Sequence, residues 1–317
     1  MTRHDAYEIA SANTSNARVL TVSIGDIRVA LISHDPDLWL QVPRATRRFL
    51  VDNGDADVIV RAVWGELHDA AAGNMRFDSG GVWRLYRRNS SYVFSFSSPA
   101  FGTLPYKQAC FSSDFTSGEI TLHRKYFDDR QPVDALEYPL DELLMVNLLA
   151  RGRGVEVHAC GVEDSDGRGY LFVGQSGAGK TTTARLWQNA RGIHVLSDDR
   201  IILRSMQGRI WMYGTPWHGE AKCARSTRTP LTQIFFLGRG ENTEVIPVRP
   251  PEAVARLMAC SFVPFDSASA LHYVLAFFEH ITAAIPCGEL RFALDGRVVE
   301  FVRKYTHENR PSIQAVC

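Results

Sequence analysis

The chain has 317 residues, enough for about two average domains, and its 35 lysines and arginines are balanced by 35 aspartates and glutamates. A net charge of zero excludes the basic footprint of a general nucleic-acid or membrane-surface binder, and 45% hydrophobic residues exclude intrinsic disorder. The six cysteines lack knuckle or redox spacing, no apolar stretch is long enough to span a bilayer, and the polar start lacks a signal-peptide core. Reduced thiols in a cytoplasmic protein are therefore expected.

In chain order, Arg18–Ser23 and Ile27–Ile32 alternate about Gly25-Asp26, a hairpin signal. Ala56–Arg61, Val82–Arg87, Ser91–Phe96 and Glu119–His123 follow as further short strands, punctuated by Gly80-Gly81 and Asn89-Ser90. This pattern predicts a β-rich N-terminal domain over residues 1–138, an antiparallel sheet or small sandwich, serving either as a substrate-recognition module or as extra strands packed on the core. The pattern changes near Pro139. Asp141 is positioned to cap a helix through Leu149, stopped by Arg151-Gly152-Arg153-Gly154. Strands at Val155–Ala159, Gly169–Val173 and His194–Ser197 then alternate with a helix from Lys180 to Asn189. Ile201–Arg204 and Arg209–Tyr213 form a hairpin about Gln207-Gly208, and helices are expected over 251–260 and 267–285. Residues 139–305 thus read as an α/β domain and 306–317 as a polar tail.

The strongest signal is Gly174-Gln175-Ser176-Gly177-Ala178-Gly179-Lys180-Thr181, which satisfies G-x-x-x-x-G-K-[ST] between a strand and a helix. Glycines let backbone N–H groups turn inward to phosphate oxygens, and a helix N-terminus adds positive potential there. Gly174, Ser176, Gly177, Ala178, Gly179, Lys180, Thr181 and Thr182 are the expected nucleotide contacts, with Lys180 on the phosphates and Thr181 on Mg²⁺. The bland reading is a glycine-rich turn, which the flanking strand and helix disfavour.

Downstream lies Ser197-Asp198-Asp199-Arg200 at the end of a strand. One carboxylate beside a phosphate loop can hold Mg²⁺, and a second adjacent one is tuned toward a general base. Taken alone, an Asp-Asp turn with solvated side chains is the simpler reading. The loop, the helix with Ala184 and Leu186, Arg191-Gly192 and the strand ending in Asp198-Asp199-Arg200 together resemble the HPr kinase/phosphorylase family. The 18-residue step from Lys180 to Asp198 and His158 on the preceding strand fit that resemblance. It covers Val155–Arg204 and thins afterwards: Pro251-Glu252 follows Pro-Val-Arg-Pro where Gly-Arg should stand, and the Glu-x-Arg-Gly stretch is missing.

The resemblance implies a phosphoenolpyruvate carboxykinase-like P-loop domain with a mixed sheet. It implies ATP and Mg²⁺ as cofactors, and Asp198, Asp199, His158 and Lys180 as catalytic residues. Asp198 is assigned as base and Asp199, with Thr181, as metal partner, the two aspartates being open to exchange. His158 either donates to the γ-phosphate or orients the base, the alternative being a packed or solvent-facing strand histidine. On site logic, Thr215, Trp217, His218 and Glu220 in the Gly214–Glu220 loop are candidates for an acceptor pocket, the alternative being a tight turn over a core tryptophan. Arg200, Arg225 and Arg228 are candidate transition-state cations.

The leading expectation is an ATP- and Mg²⁺-dependent kinase acting on a hydroxyl, a serine of a peptide or protein or else a small-molecule alcohol. No nucleic-acid or membrane partner is expected, and the oligomeric state is left open. The competing reading is a nucleotide-dependent binding or maturation factor without catalysis, which has no need of the acidic pair. A carboxykinase ranks last, because the chain is short and lacks a clear second-metal lysine and histidine.

Overall fold

The structure is a computed structural model, which describes residues 18–67, 73–102, 104–128, 131–264, 266–292 and 296–309. The chain is mixed α/β, with two nine-stranded groupings of mixed strand direction and few helices. It divides into two compact units. One comprises the described residues up to Arg151 together with Pro264–Ala270. The other comprises Gly152–Val263 and the described residues from Leu271 onward. The boundary expected at residue 138/139 is thus displaced, and the helix expected to open the second domain groups with the first unit. Cys317 and most of the proposed 306–317 tail lie outside the described residues; residues 306–308 continue the last helix.

The first unit contains β1 (Val19–Ile24), β2 (Ile27–Ser33), β3 (Leu50–Val51), β4 (Val58–Gly65), β5 (Asn74–Asp78), β6 (Trp83–Arg88), β7 (Ser91–Phe96), β8 (Lys107–Phe111) and β9 (Ser117–His123). Their order is β3-β1-β2-β4-β9-β8-β7-β6-β5. Gly25 and Asp26 both take positive φ, 61° and 55°, as the two-residue turn between β1 and β2 requires. The expected antiparallel domain needs correction: β4 lies between β2 and β9 and runs parallel to both, so the sheet is mixed. Phe94, Phe96, Phe111 and Phe115 form the aromatic core. Helix α1 (Leu140–Leu149) buries eight of its ten residues. Pro139 occupies its N-cap position, while the carboxylate of Asp141, the expected cap, accepts the Glu142 N–H.

The second unit begins with β10 (Val155–Glu163), β11 (Gly169–Val173), α2 (Lys180–Gln188), β12 (His194–Ser197), β13 (Arg200–Met206), β14 (Arg209–Gly214) and the twelve-residue β15 (Arg228–Arg239). β16 (Glu244–Pro247), α3 (Pro250–Ala259), β17 (Ser261–Phe262), α4 (Ala268–Ala284), β18 (Cys287–Phe292) and α5 (Arg297–Glu308) follow. The strand order is β11-β10-β13-β14-β15-β18-β16, and β11 also pairs with β15.

Two long strands make this arrangement. β10 pairs with β13 and β17 through Val155–His158, then leaves β13 and pairs with β11 and β12. β15 pairs with β14 near its start and with parallel β11 and β18 beyond it. β11, β15 and β18 form a parallel trio, and in sheets of this kind ligands bind beyond the carboxyl ends of the strands. α2 is fixed to β11 by Trp187, which is fully buried with its ring 5.6 Å from both Tyr170 and Phe172. The orientation of α2 is thereby set by the core beneath it.

Candidate active site

The loop Gly174–Gly179 leaves the carboxyl end of β11 and delivers the chain into α2. Gly177 and Gly179 take φ of 81° and 105°, and a Cβ on Gly174 would stand 2.6 Å from the Ala178 Cβ. Glycine is what this tight path requires, and within it the Ala178 N–H donates to the Gln175 carbonyl at 3.1 Å. Gln175, Ser176 and Gly177 are exposed, whereas Lys180 is buried at 6% exposure. Its ammonium donates to the carbonyls of Gly174 (2.7 Å) and Gln175 (3.1 Å) and has no carboxylate within bonding distance. Burial lowers the Lys180 pKa, and the nearby Asp199 acts in the opposite direction. Thr181 and Thr182 are half-buried in the first turn of α2.

The two aspartates have different surroundings. Asp198 is 1% exposed, and its carboxylate accepts the N–H groups of Gly219 (3.1 Å), Ala221 (2.8 Å) and Cys223 (3.1 Å). It organises the loop that follows β14. A Cβ on Gly219 would approach Asp198 Oδ2 to 2.7 Å, so glycine is needed for that contact. Asp199 is half-buried and lies close enough to Lys180 to act on it electrostatically. His158 Nε2 lies 2.9 Å from Asp199 Oδ1, and the Arg200 guanidinium contacts Oδ2. An ionised carboxylate only accepts, so the proton of this bond resides on Nε2. Burial acts to raise the Asp199 pKa, but His158, Arg200 and Lys180 together hold it below the ordinary value.

The strand switch accounts for this meeting. His158 opposes Arg200 in the β10–β13 ladder, and Ala159 N–H donates to the Asp199 carbonyl where the strands part. His158 and Asp199 therefore converge from elements 41 residues apart. Two further residues, absent from the sequence expectations, complete the cluster. Glu156, fully buried, has Oε1 3.5 Å from Arg200 Nε, and the Phe262 ring lies 4.3 Å from the Arg200 guanidinium carbon. A carboxylate at an inward position of the apolar run Val155–Ala159, two residues before His158, was the available signal.

The Gly214–Glu220 loop separates its candidates. Thr215 is fully buried and its hydroxyl donates to the Arg200 carbonyl at 2.8 Å, so it braces backbone. Trp217 is buried, and its carbonyl accepts from Ser197 and Thr215, which places it in the tight-turn alternative. His218 and Glu220 are exposed, and His218 Nδ1 lies 3.0 Å from the Gly219 carbonyl. Arg228 is stacked on Trp211 and donates to the Tyr213 hydroxyl; of the three candidate cations, Arg200 contacts Asp199.

Cys160, Cys223 and Cys260 are buried free thiols, and burial raises all three, Cys223 to about 12. Cys110 and Cys287 are also free. No helix among the described residues is long and apolar enough to cross a membrane.

No family model matches the chain, and no curated protein matches it. Among solved structures it is similar to the Hpr(Ser) kinase/phosphatase from Coxiella burnetii, with 14% identity over 49% of this chain and 99% of that one and a TM-score of 0.30.

Proposed function

We propose that the protein is a nucleoside-triphosphate-dependent kinase that transfers the γ-phosphoryl group to a hydroxyl. The observation that carries this reading is the Asp199–His158 pair beside a buried lysine whose bonded partners are two loop carbonyls. An ammonium so placed lacks an anion, and phosphate oxygens would supply one. ATP is the donor in this reading. Gly174, Ser176, Gly177, Ala178 and Gly179 would cradle its phosphates together with Lys180, Thr181 and Thr182.

The chemistry is in-line displacement. The acceptor hydroxyl attacks phosphorus, the new O–P bond forms as the bridging bond to ADP breaks, and the hydroxyl proton passes to a carboxylate. We assign that role to Asp199, which is half-buried, and not to Asp198, which is almost fully buried and held by three backbone N–H groups. Asp199 is ionised at neutral pH, which suits a group that orients a hydroxyl and receives its proton late. His158 holds Asp199 through Nε2–H.

A threonine hydroxyl at the helix start is a hard oxygen ligand of the kind Mg²⁺ takes beside phosphate and water. Thr181 would hold the ion, which would supply charge neutralisation at the phosphates. The acceptor we infer is a seryl hydroxyl of a peptide or protein; a small-molecule alcohol would suit the same apparatus.

Intact-mass analysis of serine-containing peptides incubated with protein, ATP and Mg²⁺ tests the reading. A gain of one phosphate is expected, and Asp199→Asn should cut kcat by about 10²- to 10⁴-fold with ATP affinity changed little. ATP binding without transfer to any hydroxyl or to water would replace the kinase with the nucleotide-dependent binder.

A further inference from the structure

Arg200 lies between two carboxylates. On one side its guanidinium contacts Asp199, and on the other its Nε lies 3.5 Å from Glu156 Oε1. Glu156 is fully buried although it is ionisable, and a carboxylate is kept in such a place only at a cost that a cation must offset. The backbone explains how the two meet. Glu156 and His158 share one face of β10, and β13 brings Arg200 opposite His158. From the other edge of β10, β17 pairs Phe262 with Glu156, so that its ring covers the guanidinium at 4.3 Å and stands 6.4 Å from the His158 ring. Both Asp199 oxygens are thereby contacted from β10 and β13, one by His158 and one by Arg200.

We propose that Glu156 is a positioning residue: it fixes the Arg200 guanidinium under Phe262, and Arg200 in turn fixes the Asp199 carboxylate toward the phosphate loop. Its effect on turnover rests on the kinase reading above, whereas the Glu156–Arg200 link does not. Without the Glu156 charge, Arg200 has one carboxylate to satisfy instead of two and follows Asp199 into whatever geometry suits that pair. The loss is expected in the orientation of Asp199, which Arg200 contacts, more than in the binding of nucleotide at Gly174–Thr182.

The test is a double-mutant cycle of Glu156→Gln and Arg200→Gln, with Glu156→Asp alongside, read by kcat, by KM for MgATP and by urea unfolding. Glu156→Gln is expected to lower kcat about tenfold or more with KM within about threefold, because only an interaction that orients the reacting group is removed. In the Arg200→Gln background the same change should cost nothing further, and Glu156→Asp should recover part of kcat. Unchanged kcat in Glu156→Gln, or a full second loss in the double variant, overturns the proposal.

Should Glu156→Gln fail to fold, the charge-balanced double variant is expected to fold. A double variant that fails while Arg200→Gln folds also overturns the proposal. If the native chain transfers no phosphoryl group, the kinase reading falls and the unfolding cycle alone decides. Coupling of about tenfold or more in the folding constant keeps Glu156 as the residue that sets Arg200, and additivity removes it.

Discussion

Among the described residues two lysines are buried, one in each unit, and their partners differ. Lys107 in β8 is fully enclosed, 3.0 Å from Glu137 Oε1, with its ammonium over the Phe96 ring at 4.6 Å. Tyr106 donates its hydroxyl to the same Glu137 oxygen at 2.8 Å. Lys180 holds two carbonyl oxygens of its own loop and is bonded to no carboxylate. Burial lowers the pKa of both. A lysine paired with a carboxylate and covered by a ring already has its counter-charge, even though its ammonium makes no well-aligned hydrogen bond. One whose contacts are neutral dipoles retains a charge for an incoming anion, and that separates a structural lysine from a binding one.

Exchanging each lysine for an apolar side chain should separate the two by the largest margin. Lys180→Ala is expected to lower phosphoryl transfer and ATP turnover about a thousandfold, as loss of a transition-state charge partner does, while the urea midpoint moves little. Lys107→Met removes one partner of a buried pair and leaves the Glu137 carboxylate without its cation. A loss of about 3 kcal/mol in urea unfolding is expected, with turnover of the folded protein unchanged. Steady-state kinetics and unfolding on both variants make the check. A Lys180→Ala protein with normal turnover, or a Lys107→Met protein without it, would break the distinction.

The same distinction runs through the aspartate pair, with a smaller expected effect. The Asp198 carboxylate is complete, with three backbone donors, and Asp199 is shared between side chains at the loop mouth. Asp198→Asn turns one oxygen into a donor. If it faces Ala221 it sets N–H against N–H, and if it faces Gly219 and Cys223 it leaves two buried donors unmet. A loss of about 2–3 kcal/mol in urea unfolding is expected, the size of a buried group left without its partner. ATP affinity of the folded fraction should stay close to native, which calorimetry on the remaining folded protein would measure.

The glycine-rich turn between β11 and α2 was legible because it is local: glycines, lysine and threonine at fixed spacing need no tertiary partner to be recognised. The division of labour between Asp198 and Asp199 was not, because it depends on three N–H groups 21 to 25 residues downstream. Hairpins with glycine turns, such as Gln207-Gly208 with φ of 52° and 72°, were read correctly from short-range chemistry. Strand β8 was missed because Lys107 occupies an inward position and breaks the alternation, its charge being absorbed by the distant Glu137. β5, with no buried residue, carries no periodic signal at all. The parallel placement of β4 between β2 and β9 joins segments far apart in the chain and leaves no local mark. Glu156 escaped for a related reason: a charge in an apolar strand reads as a defect until its cation is seen across the ladder.

The smallest expected effect belongs to the Lys107 region, where compensation extends beyond one pair. Burial raises the pKa of Asp134 to about 7, with the charges of Asp141 and Glu137 adding to the rise and Lys107 opposing it. A carboxyl raised in the folded state contributes stability that is complete below its unfolded value of 3.8 and is lost as pH climbs through about 7. Between pH 6 and pH 8 that loss is about 1 kcal/mol, or about 2–4 °C in the midpoint of a unit this size. Asp134→Asn cannot titrate, so its thermal midpoint should fall less than the native one across that interval. Beside Lys180 the opposite holds for Asp199: its pKa is lowered, and its stabilising contribution persists from neutral pH down to below the ordinary carboxylate range. Thermal melts of the native chain and Asp134→Asn at pH 6, 7 and 8 would decide it. Parallel curves for the two proteins would show that Asp134 is already ionised, and that Lys107 is neutralised by more charge than Glu137 alone.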